Sequence, residues 1–256
     1  MSTVRDNTLS SVTKALRVLK IFNSENPVWR IGEISDHLNY SKSTASRIVQ
    51  TLVEEKFLVS DKEGPGYRLG SATLALGGHF VGENELYQEV APVLNKLVLE
   101  TGESAHIAIK NNRSVLYLNK QIGPYYSDIQ TQTGSDNPVH ATSSGKVLLA
   151  HSDDDTVDII LSGELEAFTE HTLVNPIRIR KQLEDIRIKG YSFSAEELTL
   201  GNYSIAAPVF NYDGEIVCAI ALVGPMTRLT ERNKDRFIRV LVRAAAEASD
   251  RLGYDG

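Results

Sequence analysis

Between Ser41 and Gln50 the chain carries a run of hydrogen-bond donors with no acid among them: Ser41, Lys42, Ser43, Thr44, Ser46, Arg47 and Gln50. Ammonium, guanidinium, amide and hydroxyl groups donate to phosphate oxygens and to base edges, and nothing on the run repels DNA before Glu54. At about 100° per residue, Lys42, Ser43, Ser46, Arg47 and Gln50 fall within roughly 140° of one another. Ala45, Ile48, Val49, Leu52 and Val53 recur at core spacing away from them. A solvated helix face is the plainer alternative. A second group, Ser143-x-x-Lys146, has the spacing of a serine nucleophile and its base, with Ser135-Asp136-Asn137 close by. In penicillin-recognising hydrolases the order is the reverse, and a Lys-Thr-Gly follows that is missing here. Ser11-x-x-Lys14 repeats the spacing on a helix with no use for it, so no catalytic residue is assigned. Gly145-Lys146 lacks the upstream glycine of a phosphate loop, and Val147 stands where that loop needs Ser or Thr. Six scattered histidines and the single Cys218 offer no metal spacing, so neither a metal nor a cofactor is expected. Cys218 lies in an apolar run and reads as a small core residue.

These groups need elements to position them. Ile31, Ile34 and Leu38 give the stretch before the donor run an apolar face at helical spacing. Asn39 suits a left-handed turn, and Ser41 suits the N-cap of the next helix. An amphipathic helix over 9–22 precedes them and ends at Glu25-Asn26-Pro27. Two strands, 57–59 and 67–69, follow around the turn formers of 61–66. Three helices and a hairpin make a winged helix-turn-helix, in which Lys62, Tyr67 or Arg68 on the wing would meet the sugar–phosphate backbone.

Ser71 opens a helix over 71–81 that contains Gly77-Gly78. Two adjacent glycines, each costing about 1 kcal/mol against alanine, point to a bend or to close packing against another chain. This helix is the expected linker, giving domains over 1–70, 71–84 and 85–256. The helix over 85–101 is expected to break at Pro92 and to stop at Gly102. Strands at 104–109, 114–121 and 127–130 follow, then helices at 142–150, 153–161 and 176–189. Strands at 191–195, 204–211 and 215–223 come next, the last two joined through Tyr212-Asp213-Gly214, before a closing helix over 230–252. The fold class is α+β.

With 256 residues, 41% hydrophobic and 23% charged, the chain has the composition of a soluble globular protein of one or two domains. The polar start and the shortness of the apolar run 216–223 predict neither a secretory signal nor a membrane span, and one cysteine fits a reducing cytoplasm. The net charge of -6 excludes a globally basic nucleic-acid binder. It is uneven, however: residues 1–82 carry +2 and the remainder -8, as two domains with different partners would.

Five motifs in order resemble the isocitrate-lyase-regulator (IclR) family of bacterial transcription factors. They are Ser11-Val-Thr-Lys-Ala-Leu-Arg-Val-Leu, Ser41-Lys-Ser-Thr-Ala-Ser-Arg, Tyr67-Arg-Leu-Gly and His140-Ala-Thr-Ser-Ser-Gly-Lys-Val-Leu-Leu-Ala, then Gly190-Tyr191 to Glu197 with Ile205-Ala-Ala-Pro-Val-Phe and Val223-Gly-Pro. The resemblance implies a winged-helix head joined by a helix to a GAF/profilin-like antiparallel sheet with flanking helices. It implies double-stranded operator DNA as a partner, a homodimer or dimer of dimers, a repressor, and a small-molecule carboxylate or aromatic acid as effector. By the same resemblance the effector cavity involves His140, Ala141, Ser143, Ser144, Gly145, Ser194, Ser204, Ala221 and Val223. Two departures bear on the ligand. Ser204 stands where many members have cysteine, and Ala221 and Val223 stand where binders of small keto acids carry serines. The lost hydroxyls favour a larger, ring-containing acid. The rival readings are a DNA-binding dimer whose body is structural and ligand-free and, remotely, a serine hydrolase.

Overall fold

The computed structural model describes residues 9–23, 25–125 and 132–256, so the strand expected at 127–130 lies outside the described residues. The chain divides into two compact units, Met1–Glu83 and Asn84–Gly256. No helix among the described residues is long and apolar enough to cross a membrane.

The first unit contains α1 (Ser10–Lys20), α2 (Ile31–Leu38), α3 (Lys42–Glu54), the strands β1 (Leu58–Ser60) and β2 (Tyr67–Leu69), and α4 (Ser71–Glu83). Val18, Ile34, Ala45, Val49, Leu52 and Leu58 form its core, so each of the first three helices and the first strand contributes an apolar face. Asn39 takes the left-handed conformation that turns α2 into α3, with φ 54° and ψ 45°. β1 and β2 pair antiparallel, and Trp29 adds a bridge on the outer side of Tyr67, with N–H···O distances of 3.1 and 2.9 Å. α4 passes through Gly77 and Gly78 without interruption, and a side chain at either would meet nothing within 4 Å in this chain. The two glycines therefore do not interrupt the helix.

The second unit opens with α5 (Glu85–Thr101), capped by the Asn84 side chain and continuous through Pro92, contrary to the break expected there. Only the N–H of a first-turn residue is dispensable to a helix, and Pro92 lies beyond it, so α5 runs on without that one bond. β3 (Ser104–Asn111), β4 (Ser114–Gln121), β5 (Asp136–Pro138), β6 (Ser192–Ala195), β7 (Asn202–Phe210) and β8 (Ile216–Pro225) form one antiparallel sheet in the order β5-β4-β3-β8-β7-β6. Strand alternation separates two faces. Ala105, Ile107, Ile205, Ala207, Ile220 and Leu222 pack against α5 and the closing helix α9 (Glu231–Arg251). Ala108, Tyr117, Ala206, Ala219 and Ala221 pack under α6 (Ser143–Ala150), α7 (Asp154–Leu161) and α8 (Pro176–Lys189). The alanines on that face let α6 sit close to the sheet, and all eight of its residues are buried.

Candidate functional site

In the first unit, Lys42, Ser43, Arg47 and Gln50 are exposed on α3, and Thr44 and Ser46 are half-buried at the edge of the same face. Ala45, Val49 and Leu52 point the other way, into the core. Neither Lys42 nor Arg47 forms an ion pair among the described residues, so both charges are free for an anion. Ser41 is exposed, and its hydroxyl is engaged at the start of the helix. Its Oγ accepts from the Thr44 N–H at 3.2 Å and lies 3.0 Å from Ser43 Oγ and 2.8 Å from Thr44 Oγ1, so it works as a helix cap. On the hairpin, Lys62 is exposed at the tip, whereas Tyr67 is half-buried against the core and tied by its backbone to Trp29. Arg68 donates from Nε to Asp61 Oδ1 at 2.6 Å, closing the base of the wing, and this guanidinium holds the Asp61 carboxyl below the usual carboxylate range.

In the second unit a small cavity opens between the first turn of α6, the strands β6 to β8 and the segment 196–202. It holds about 50 Å³. Cross-strand register places Ser194, Ser204 and Val223 side by side, because Ser194 pairs with Ser204 and Ser204 with Val223. Ala141, Ser143 and Ser144 close it from above. Thus the structure brings together six of the residues expected to bind an effector.

The other three do not reach it. His140 turns its ring away, with Nε2 2.9 Å from the Glu166 carbonyl and Phe168 alongside. Ala221 is fully buried among the alanines beneath α6. Gly145 has a packing task instead: a Cβ there would lie 2.2 Å from the Val139 carbonyl oxygen and 2.5 Å from its Cα. Gly145→Ala is accordingly expected to destabilise the protein by about 1–3 kcal/mol, read from its thermal denaturation midpoint, because the obstacle is backbone and cannot rotate aside.

The void is also lined by residues outside the motifs, chief among them His106, Tyr117, Glu196 and Asn202, together with Thr142 and Glu197. His106 Nε2 lies 3.0 Å from Ser144 Oγ, and its ring meets Tyr117 edge-on with centroids 4.6 Å apart. Burial, with a smaller contribution from the Lys120 ammonium, pushes the imidazole down to about 3, so it is neutral near pH 7. Burial pushes the Tyr117 phenol up to about 12, and its oxygen accepts from Asn137 Nδ2 at 3.2 Å.

Behind the void, Lys146 is fully buried and its Nζ donates to both carboxylate oxygens of Glu197, at 2.5 and 2.7 Å. Burial lowers the Lys146 pKa, and the adjacent carboxylate opposes that shift. The amine that a Ser143-x-x-Lys146 nucleophile would need as its base is therefore engaged by Glu197 instead. The only signal for His106 and Tyr117 was strand alternation, which sets them on the same face as Ala108 and Val115.

Sequence profiles for two domains match the chain: "IclR helix-turn-helix domain" over residues 11–62 and "Bacterial transcriptional regulator IclR C-terminal" over residues 78–251. The HTH-type transcriptional regulator XynR of Escherichia coli K12 is 30% identical over 96% of this chain and 98% of its own length. The transcriptional repressor IclR of the same strain is 27% identical over 97% of this chain and 91% of its own. Among solved structures, a transcriptional regulator from Alicyclobacillus acidocaldarius superposes with a TM-score of 0.86 at 26% identity, covering 96% of this chain and all of that one.

Proposed function

The chain belongs to the IclR family of bacterial DNA-binding transcriptional regulators, and from that premise we propose that it is a homodimeric repressor whose operator affinity changes when a small carboxylic acid enters the body. The observation that carries the DNA half is the outward, acid-free donor face of α3, with Lys42 and Arg47 unpaired. Lys42, Ser43, Ser46, Arg47 and Gln50 meet base edges in the major groove, Thr44 stands near the phosphates at the helix start, and Lys62 follows the backbone from the wing. Ser41 supports this face by fixing the first turn of α3. Repression is proposed by analogy with the relative named as a repressor.

A second copy of the chain is proposed because α1 and α4 leave large apolar side chains uncovered. Val12 and Leu16 are 50% and 53% exposed, and Leu74, Leu76 and Phe80 are 78%, 60% and 53% exposed. A twofold dimer reads a pseudo-palindromic site.

Arg47→Ala tests the docking. It is expected to weaken specific operator binding by about 1–3 kcal/mol, roughly ten- to a hundredfold, in gel-shift titrations at fixed salt. Unchanged affinity would remove α3 from the groove. The effector half is supported by the void itself, lined by converging polar groups. Of the two positions where a serine hydroxyl is lost, Val223 borders the void and Ala221 does not.

A further inference from the structure

Resting on the reading of α3 as the helix that enters the major groove, we propose that the cleft between α1 and α3 seats the sugar–phosphate backbone beside that groove, with the Lys14 ammonium on a phosphate. α1 is then a second DNA-contacting element of the head.

Charge is the first argument. The cleft is open, holds about 450 Å³ and carries Ser10, Ser11, Lys14, Thr44, Arg47 and Thr51 on its walls. No acid lines it, and neither Lys14 nor Arg47 forms an ion pair among the described residues. The two helices share this bias along their length. α1 has no Asp or Glu between Ser10 and Lys20, and α3 has none before its last residue, Glu54. Two cations on facing walls, with hydroxyls and no carboxylate between them, attract an anion.

Position is the second argument. Arg47 stands on the outward face of α3 and also in the wall of the cleft, so the cleft opens beside the surface given to the bases. Lys14 is half-buried, and its Nζ lies 5.7 Å from the centroid of the Tyr40 ring, in the turn that leads into Ser41. That contact holds the ammonium near the first turn of α3, where Thr44 meets the phosphates. Thr51 Oγ1 donates to the Arg47 carbonyl at 3.0 Å, whereas the Ser11 hydroxyl bonds to no described residue and is left to donate. Ala15 and Ile48 supply an apolar floor that suits the deoxyribose carbons between phosphates. Thr44 to Thr51 spans two turns of α3, roughly 10 Å of its axis. One strand of a duplex rises by about 3.4 Å per phosphate, so a stretch of about three nucleotides matches that length.

The test is fluorescence anisotropy of the full chain with two duplexes of equal length, across a series of salt concentrations. One duplex is of random sequence, and the other is selected from a random pool by the wild-type protein. Lys14→Gln is expected to weaken both by the same factor, about three- to tenfold, and to flatten the slope of log K against log salt by about 0.9 for each head bound. Lys14→Arg should keep the wild-type slope, which separates loss of the ammonium from loss of the fold. Lys20→Gln makes the same charge change on α1 outside the cleft and should leave the slope as it is. An unchanged slope in Lys14→Gln, or one that Lys20→Gln reproduces, would overturn the phosphate contact. So would a loss confined to the selected duplex, which marks base reading. Val12 belongs both to the cleft and to the apolar face given above to a second copy, so sedimentation is read on the same variants. A Lys14→Gln protein that dimerises less tightly and binds the random duplex as wild type does would assign the cleft to that second copy instead. If Arg47→Ala weakens the selected duplex while Lys14→Gln changes nothing, the major-groove reading stands and the cleft proposal falls. If neither variant alters binding to either duplex, both fall.

Discussion

Lys146→Met is expected to destabilise the body by about 3–5 kcal/mol, the range for removing one partner of a buried ion pair. Glu197 is 8% exposed, and its two oxygens lie 2.5 and 2.7 Å from the ammonium. Without Lys146, among the described residues only the Leu173 N–H at 3.3 Å remains to one of those oxygens. The carboxylate would then have to protonate, draw in water or pull out of the fold. Each route disturbs the segment around Glu197, whose backbone carbonyl also accepts from Thr172 Oγ1 at 2.6 Å. Urea denaturation followed by far-ultraviolet circular dichroism reads the loss. The double variant Lys146→Met/Glu197→Gln removes both charges and should recover most of it. A single variant within 1 kcal/mol of wild type, or a double variant no better than the single, would show that the pair is not what holds α6 to the segment around Glu197.

Acid is expected to destabilise the protein through His106. In the unfolded chain its imidazole has the ordinary value near 6.5, whereas in the folded protein burial lowers it to about 3. Below 6.5 the unfolded state takes up a proton that the folded state refuses. The stability this group contributes is therefore complete above 6.5 and drains away as the pH falls from there toward 3, at up to about 1.4 kcal/mol per pH unit. Between pH 7.5 and pH 5 the expected loss is about 2 kcal/mol. His106→Gln keeps a neutral polar side chain and removes the titration, so the difference in unfolding free energy between the two proteins should follow this slope. A difference independent of pH would mean that His106 titrates in the fold as it does in the unfolded chain.

The head was legible because its signals are local. The 3.6-residue periodicity of Ala45, Val49 and Leu52, the left-handed tolerance of Asn39 and the cap at Ser41 all act within one turn of themselves. What α3 presents to solvent followed from the same spacing. The body was legible as elements but less so as a site. Ala221 and Val223 lie two apart on one strand and share a face, yet α6 covers the first and leaves the second at the void. That depends on how near a helix from another part of the chain approaches. His106 and Tyr117 are hidden in the sequence for a related reason. Inward-facing polar residues on buried strands have no mark in sequence until the helix above supplies Ser144 as a partner. In the sequence Pro92 signals a break, although neighbouring turns of α5 and its packing on α9 keep the helix continuous.

The strand order carries one more consequence, for how the body is synthesised. At the middle of the sheet β3 pairs with β8 through partners such as Ser104 and Val223, more than a hundred residues apart. The β3–β4 hairpin can close early, but this seam, like the β7–β8 hairpin beside it, must await nearly the whole polypeptide. A nascent chain paused before β8 would hold β3 as an unpaired edge, open to chaperones and proteases, while the head, whose core contacts are short-range, could already be folded.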